Sequence, residues 1–266
     1  MSYLKSMVTK SLKDTITNMK LIFLGVGEAF DENIPNNSHL IITDKTKLLL
    51  DCGLTAAPQV WKYNPDPNLL DAVYISHWHA DHYFGLPGLL LRMWEGGRTR
   101  PITIISKKGF KDQFAKLMDL AYLNFQEKFK FEIKIIEVAE DEKIKFNELE
   151  LSFNQTVHSG ENFAVKVSDQ KNVMAYSGDG SPLPNNNFYK NLDLLILETY
   201  LYDQEKIGHS SIVSAIKFAE DNNVKCLALT HINRDFRKNE LPKIKDRIKG
   251  DKIKIILPQP LEEYEV

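Results

Sequence analysis

Cysteine is nearly absent: the 266-residue chain carries only Cys52 and Cys226, each inside an apolar, strand-like stretch. Two buried thiols make no disulfide framework and suit a reducing compartment, which points to the cytoplasm. Long apolar runs are missing too. No stretch reaches the roughly 18 consecutive apolar residues that a membrane helix requires. Residues 1–18 mix Ser, Thr and Lys with scattered apolar side chains and lack the continuous apolar centre of a secretory signal. They read as an N-terminal extension, either one helix or a disordered leader, with Met19 a natural start for the folded part. There is no excess of positive charge: 34 Lys and Arg against 36 Asp and Glu give a net charge of −2. Without a global basic field, nucleic acid could be met only by local lysine clusters. Internal repeats and low-complexity tracts are likewise absent, so residues 19–266 read as one domain with an ample core.

What the chain does have is seven histidines in a telling arrangement: His39, His77, His79, His82, His158, His209 and His231. Three fall in His77-Trp78-His79-Ala80-Asp81-His82, directly after the apolar run Asp71-Ala72-Val73-Tyr74-Ile75-Ser76. Val73 to Ile75 has the composition of a buried strand, and polar residues gathered at a strand end mark a site. On an extended segment His77 and His79 project the same way, and Asp81 and His82 follow after a turn. One pair can therefore hold one metal ion and the other a second. Imidazole and carboxylate donors without thiolate suit zinc, manganese or iron and argue against a purely structural zinc.

Further along, strand ends keep delivering polar residues. A strand at 149–157 leads to His158, one at 173–177 to Asp179, one at 194–197 to Glu198 and one at 225–230 to His231. Other strands are expected at 20–25, 39–43, 47–50, 101–105, 131–138, 143–146 and 162–167. Helices are expected at 55–63, 83–94, 109–125 and 210–221. This order predicts an α/β chain with two β-sheets packed face to face and helices outside. Gly25-Val26-Gly27 reads as a tight turn, since Phe30 stands where a dinucleotide loop needs Gly or Ala. Asp51, at a strand end, is suited to orient a ligand imidazole. His39 has no ligand spacing to the others and reads as structural.

The motif His-x-His-x-Asp-His after an apolar strand, followed by Thr156-Val157-His158-Ser159-Gly160, Tyr176-Ser177-Gly178-Asp179 and Leu229-Thr230-His231, resembles the metallo-β-lactamase superfamily. Within it the chain is most similar to ribonuclease Z and its smaller phosphodiesterase relatives. That similarity is carried also by Leu24-Gly25-Val26-Gly27, Asp51-Cys52-Gly53, Phe84-Gly85-Leu86-Pro87-Gly88-Leu89-Leu90 and Gly208-His209-Ser210-Ser211. The resemblance implies the αββα sandwich and two divalent ions, zinc first among them, with manganese and iron as alternatives. It implies that His77, His79 and His158 hold one ion, that Asp81, His82 and His231 hold the other, and that Asp179 bridges them. Asp81 would take the proton of the attacking water. His209 would serve as general acid or oxyanion stabiliser, with Glu198 as its orienter and the amides of the following helix near an anionic group. A homodimer is also implied.

The same resemblance leaves the substrate open. Ribonuclease Z places a protruding arm that grips tRNA between the stations matched here by His158 and Asp179, which are only 179 − 158 = 21 positions apart. RNA, through an endonuclease activity, and a small or cyclic phosphodiester both remain candidates, with tRNA resting on lysine clusters at 107–111 and 243–249. Arg234 is a candidate phosphate contact, although the family's arginine stands one place on, at Asp235 in this chain. The alternatives on one metal centre are a carboxylic ester, thioester, lactone or sulfate ester. A metal-bound binding or sensor protein is a further alternative. Iron-dependent oxygen chemistry ranks last, because it calls for Glu at the position of His79.

Overall fold

Apolar residues at every position of a strand demand cover on both faces, and the two sheets of this chain receive it. The computed structural model describes residues 19–184, 186–248 and 252–266; the expected N-terminal extension lies outside them. The first sheet begins with the antiparallel strands β1 (Lys20–Gly25), β2 (Ser38–Ile42) and β3 (Lys47–Leu50). It continues in parallel through β4 (Ala72–Ile75), β5 (Ile102–Lys107) and β6 (Ile133–Val138). The parallel crossovers carry helices α1 (Ala56–Tyr63), α2 (Ala80–Tyr83), α3 (Leu86–Glu95) and α4 (Phe110–Ala121). In β4, Val73 and Ile75 pack with the helices, while Ala72 and Tyr74 face the second sheet.

The second sheet is built from β7 (Lys143–Phe146), β8 (Leu149–Val157), β9 (Phe163–Ser168), β10 (Val173–Tyr176), β11 (Ser181–Pro182) and β12 (Leu194–Glu198). After α5 (Ile212–Asp221), β13 (Cys226–Thr230) joins it; α6 (Arg234–Asn239), α7 (Leu241–Ile244) and β14 (Lys254–Ile256) follow. The last strand, β15 (Glu262–Glu265), returns to the first sheet beside β1. The strand orders are β15-β1-β2-β3-β4-β5-β6 and β11-β8-β9-β10-β12-β13-β14, with β7 also on β8. Phe23, Tyr74 and Ile105 meet Phe153, Val165 and Tyr176 between the sheets, and Leu195, Leu197 and Leu227 pack under α5. The result is the αββα sandwich that the element order predicts. Both cysteines are buried and free.

Several expected boundaries need correction. The helix expected at 83–94 starts three residues later, at Leu86: Tyr83 ends the separate short helix α2, and Phe84 and Gly85 lie between the two. The break exists because this loop is pressed onto the end of β3: Gly85 N–H donates to Cys52 O at 2.9 Å, and Cys52 N–H donates to His82 O at 2.7 Å. A Cβ on Gly53 would collide with the Asp81 carbonyl, and one on Gly85 with the Gly53 carbonyl. The helix expected to run to residue 125 ends at Ala121, where Tyr122 turns to φ −151°. The helix expected from residue 210 starts at Ile212, because Ser211 caps it by accepting from Ser214 N–H. β11, β14, β15, α6 and α7 are findings of the structure alone.

One buried charge anchors the crossover into β5. Arg98 is 1% exposed and donates to four carbonyls, those of Arg100, Pro67, Leu70 and Pro101, each at 2.8 Å. Burial pushes its guanidinium down to about 10. Arg98→Met should therefore lower folding stability by about 3–5 kcal/mol, since it strands buried carbonyl acceptors at roughly 1–3 kcal/mol each, partly relieved by water. Urea denaturation measures this, and a loss under about 1 kcal/mol would contradict the anchoring role.

Candidate metal centre

The site grows out of the adjoining ends of the two sheets. Past the end of β4, Ser76 and buried His77 continue in extended form to His79, which precedes α2 with φ −75° and ψ 148°. Asp81 and His82 therefore project from one helical turn. From the second sheet, His158 follows β8 directly. Asp179 follows β10 through Gly178, whose φ of +64° and close approach to Ser76 exclude a side chain. His231 follows β13 with φ 59°. Seven residues spread over 155 positions of chain thus meet in one cleft.

Asp51, fully buried and held at φ 58°, is the hub beneath them. Its Oδ1 accepts from Ser76 N–H at 2.7 Å; its Oδ2 accepts from the Ser76 hydroxyl, the Tyr176 hydroxyl and His82 Nδ1–H, each at 2.7 Å. With its own proton spent on Asp51, the Ser76 hydroxyl accepts from His77 Nδ1–H at 3.0 Å. His158 Nδ1 lies 3.4 Å from the Gly208 carbonyl. An imidazole whose Nδ1 carries the proton presents a lone pair at Nε2, the form a metal requires.

Among the described residues three groups have their ligand atoms within 4.8 Å of one another: His77, His79 and His158; Asp81, His82, Asp179 and His231; and Glu198, His209 and His231, which shares His231 with the second. In the first, His158 Nε2 lies 3.1 Å from His79 Nδ1. In the second, His82 Nε2 and His231 Nε2 each lie 3.0 Å from Asp179 Oδ2, and His82 Nε2 lies 3.2 Å from Asp81 Oδ2. These nitrogens reach ion-pair distance without hydrogen-bond alignment. His77 Nε2, His82 Nε2, His231 Nε2 and Asp179 Oδ1 are all buried without a hydrogen-bond partner. Buried polar atoms left this way are costly, and their closeness to one another fits a cation between them.

The electrostatics of the protein groups alone say the same. Burial would lower the His82 imidazole, but Asp179, Asp81 and Asp51 outweigh it and hold it well above the usual histidine value. His231 is likewise driven down by burial and up by Asp179, with a net rise to about 10. Burial pushes Asp179 up, and His231 and His82 pull it far below the carboxylate range. His77, which has no carboxylate so close, is held well below its ordinary value by burial and by the neighbouring His82. The second group thus attracts positive charge strongly, and in the first, burial favours the neutral, donating form of His77 and His158.

Glu198 and His209 stand beside this set. Glu198 is fully buried at the end of β12; its Oε1 accepts from Ser210 N–H at 2.7 Å and its Oε2 lies 3.0 Å from His209 Nδ1. Burial raises the Glu198 carboxyl. The His209 ring stacks between Tyr200 and His231, with centroids at 5.0 and 5.8 Å. The expected anion site at the following helix is not formed by these amides, because Ser210 N–H serves Glu198 and Ser214 N–H serves the cap. His39 sits fully buried between the Phe23 and Tyr176 rings, away from the donor groups, and burial takes it down to about 3. Arg234 gives its guanidinium to Glu28 at 2.5 Å, so the expected phosphate contact is corrected to an ion pair. Asp235 lies in the first turn of α6. Lys107, in the first lysine cluster, packs over Trp78 and pairs with Glu161. Lys249, in the second, lies outside the described residues.

The cleft over the donors has a volume of about 430 Å³, and its walls include Glu28, Phe30, Leu54 and Tyr200. None of these four stands out in the sequence as a site residue. Tyr176 does sit in the quoted motif, but nothing there announces its bond to Asp51.

Fold and donor set together define a metallo-β-lactamase-fold protein of the ribonuclease Z-like kind. The chain is 28% identical, over 316 aligned positions, to ribonuclease Z of Methanocaldococcus jannaschii, covering 93% of this chain and 97% of that protein. The metallo-β-lactamase-fold protein YhfI of Bacillus subtilis superposes with a TM-score of 0.79 at 24% identity, over 94% of this chain and 100% of that one. The short form of human tRNase Z superposes at 0.75 and 21% identity, over 92% of this chain and 98% of that one, and both solved structures show the shared fold. The chain belongs to the family described as anti-Pycsar protein Apyc1, whose pattern matches residues 19–248.

Proposed function

We propose that this protein is a metal-dependent phosphodiesterase that works with two divalent ions, zinc first among them, on RNA or on a small or cyclic phosphodiester. The observation that carries this reading is the adjacency of a three-histidine group, an Asp-His-Asp-His group and the Glu198–His209 pair over one cleft. His77, His79 and His158 would hold one ion and Asp81, His82, His231 and Asp179 the other, with Asp179 the candidate to be shared between them. When bound, such a pair of ions polarises a phosphoryl oxygen and makes water acidic enough to attack phosphorus at neutral pH.

The rest of the chemistry belongs to side chains. Asp81 accepts the proton of the attacking water. Glu198 accepts His209 Nδ1–H and so fixes the ring's tautomer and plane. His209 then passes the proton on Nε2 to the departing oxygen. The ring cannot swing away, because Tyr200 and His231 stack on its two faces. Between His158 and Asp179 the chain is consumed by β9, β10 and their turn, which supports a small phosphodiester over a gripped tRNA. We also read the protein as cytoplasmic and as a homodimer. Among the described residues no helix is long and apolar enough to cross a membrane, and exposed Leu120 and Leu123 flank the end of α4 as apolar surface for a second copy.

The test is a substrate panel. Metal-loaded protein should hydrolyse bis(p-nitrophenyl) phosphate far faster than p-nitrophenyl acetate, a thioester, a lactone or a sulfate ester. Preference for any of those four would move the activity to ester chemistry, and two bound ions with no turnover would leave a binding protein. Chelation has its own expected effect. Ion binding at about 100 times Kd stabilises by about 2.7 kcal/mol per site, so stripping both ions should lower Tm by about 10–20 °C, at roughly 2–4 °C per kcal/mol. An unchanged melting curve would contradict the metal assignment.

A further inference from the structure

His231 faces the second donor group with Nε2, and its Nδ1 is left over: buried, without a hydrogen-bond partner, and 4.0 Å from Glu198 Oε2. The same oxygen lies 3.0 Å from His209 Nδ1. The His209 and His231 rings are nearly parallel, at 13° with centroids 5.8 Å apart, so both Nδ1 atoms approach one carboxylate oxygen. One donor atom from each of the three residues lies within 4.8 Å of the other two. Donors at about 2.0–2.2 Å from a tetrahedral zinc stand about 3.3–3.5 Å from one another. The distances of 3.0 and 4.0 Å bracket that spacing. Glu198 is fully buried, and burial raises its carboxyl; a cation beside it would favour the charged form. His209 is the one partly exposed member of the three. It lines both the cleft and a second hollow of about 570 Å³, whose walls include Ile207 and Phe218, so an ion has a way in.

We propose that Glu198, His209 and His231 form a third, inhibitory site for a divalent ion that accepts imidazole ligands, zinc foremost, filled only after the two donor groups are occupied. This rests on the phosphodiesterase reading and adds a regulation of that same centre by metal excess. Binding displaces the Nδ1 protons of both imidazoles to solvent. His231 then bridges two ions, with Nε2 toward the second donor group and Nδ1 toward the new site. A ring with a metal ion on Nδ1 cannot become the doubly protonated imidazolium, whose Nε2 proton is acidic enough for a departing oxygen. Proton delivery fails while the groups that activate water stay as they were. Repulsion between like charges makes this site the weakest of the three. Its two nitrogens favour zinc over manganese.

The test loads the protein with two zinc ions per chain and then raises free zinc. Equilibrium dialysis should count a third equivalent in the wild-type protein and none in Glu198→Gln or His209→Ala, both of which keep the first two. With the methyl phosphodiester of adenosine 5′-phosphate, whose departing oxygen is an alkoxide, kcat should fall in step with the third equivalent by about 10²–10⁴-fold, the usual worth of a proton donor. With bis(p-nitrophenyl) phosphate the fall should be much smaller. The residual rate of His209→Ala should not respond to the excess, and manganese at the same excess should not inhibit the wild-type protein. A wild-type protein that stops at two equivalents overturns the proposal, as does a third equivalent that persists in either variant. A third equivalent that leaves kcat unchanged for the methyl ester overturns the inhibitory role. If the two-ion protein hydrolyses no phosphodiester, the phosphodiesterase reading fails by itself, and the site is judged by the dialysis count: a third equivalent in the wild-type protein alone sustains it.

Discussion

His209→Ala should lower kcat for phosphodiester hydrolysis by about 10²–10⁴-fold, the usual worth of a positioned proton donor, while both ions stay bound. The expectation follows from where the ring sits. His209 is outside both proposed ligand groups, its Nδ1 is spent on Glu198, and it is only partly buried, so truncation removes a proton without opening the metal centre. Glu198→Gln should cost less, because an amide oxygen still accepts from Nδ1–H and keeps the ring oriented. A substrate with a very acidic leaving group needs no proton, so the deficit of His209→Ala should shrink there. Metal content by mass spectrometry and kcat against leaving-group acidity check this together. A variant that loses its ions, or a deficit independent of the leaving group, would make His209 a structural residue.

Asp51→Ala should do the opposite: weaken metal binding about 10- to 100-fold, as loss of a group that orients ligands does, and destabilise the fold by about 3–5 kcal/mol. Four donors converge on this carboxylate, from Ser76 N–H, the Ser76 and Tyr176 hydroxyls and His82. Alanine leaves them buried and unpaired, at roughly 1–3 kcal/mol each with partial relaxation. It also frees the Ser76 hydroxyl to turn, so His77 loses its tautomer lock together with His82. Both proposed donor groups are therefore affected by one residue that belongs to neither. Competitive chelator titration and urea denaturation measure the two effects. A variant that melts earlier but binds metal with unchanged affinity would show that Asp51 supports the sheets and not the donors.

Much of this arrangement was legible in residue order because strands write their ends plainly. Val73 to Ile75, Leu149 to Val157, Val173 to Tyr176 and Cys226 to Thr230 are apolar stretches that stop at a polar side chain, and in a layered sandwich such ends gather along one edge. His77, His158, Asp179 and His231 could be named for that reason. The break between α2 and α3 could not. It depends on Gly53 and Gly85 touching carbonyls some 30 residues away, and helical periodicity runs straight through it. The pairing of β15 with β1 joins the two ends of the described chain and has no local signal. Phe30, a wall of the cleft, registers in the sequence only as a residue unsuited to a dinucleotide loop, because the ion pairs beside it, Glu28 with Arg234 and Asp31 with Arg237, join residues far apart in the chain. Arg234 is only a candidate phosphate contact in the sequence, where its partner Glu28 lies 206 positions away.

Two ions held by the two donor groups are proposed to drive phosphodiester hydrolysis in this protein. The most direct measurement strips the protein with chelator and follows bis(p-nitrophenyl) phosphate hydrolysis as zinc or manganese is returned in fractions of an equivalent. Turnover should be absent at the start and should rise to saturate at two ions per chain, with Asp179→Ala never reaching the plateau. Turnover in the stripped protein, or a metal-saturated protein that cleaves no phosphodiester, would contradict two-ion hydrolysis.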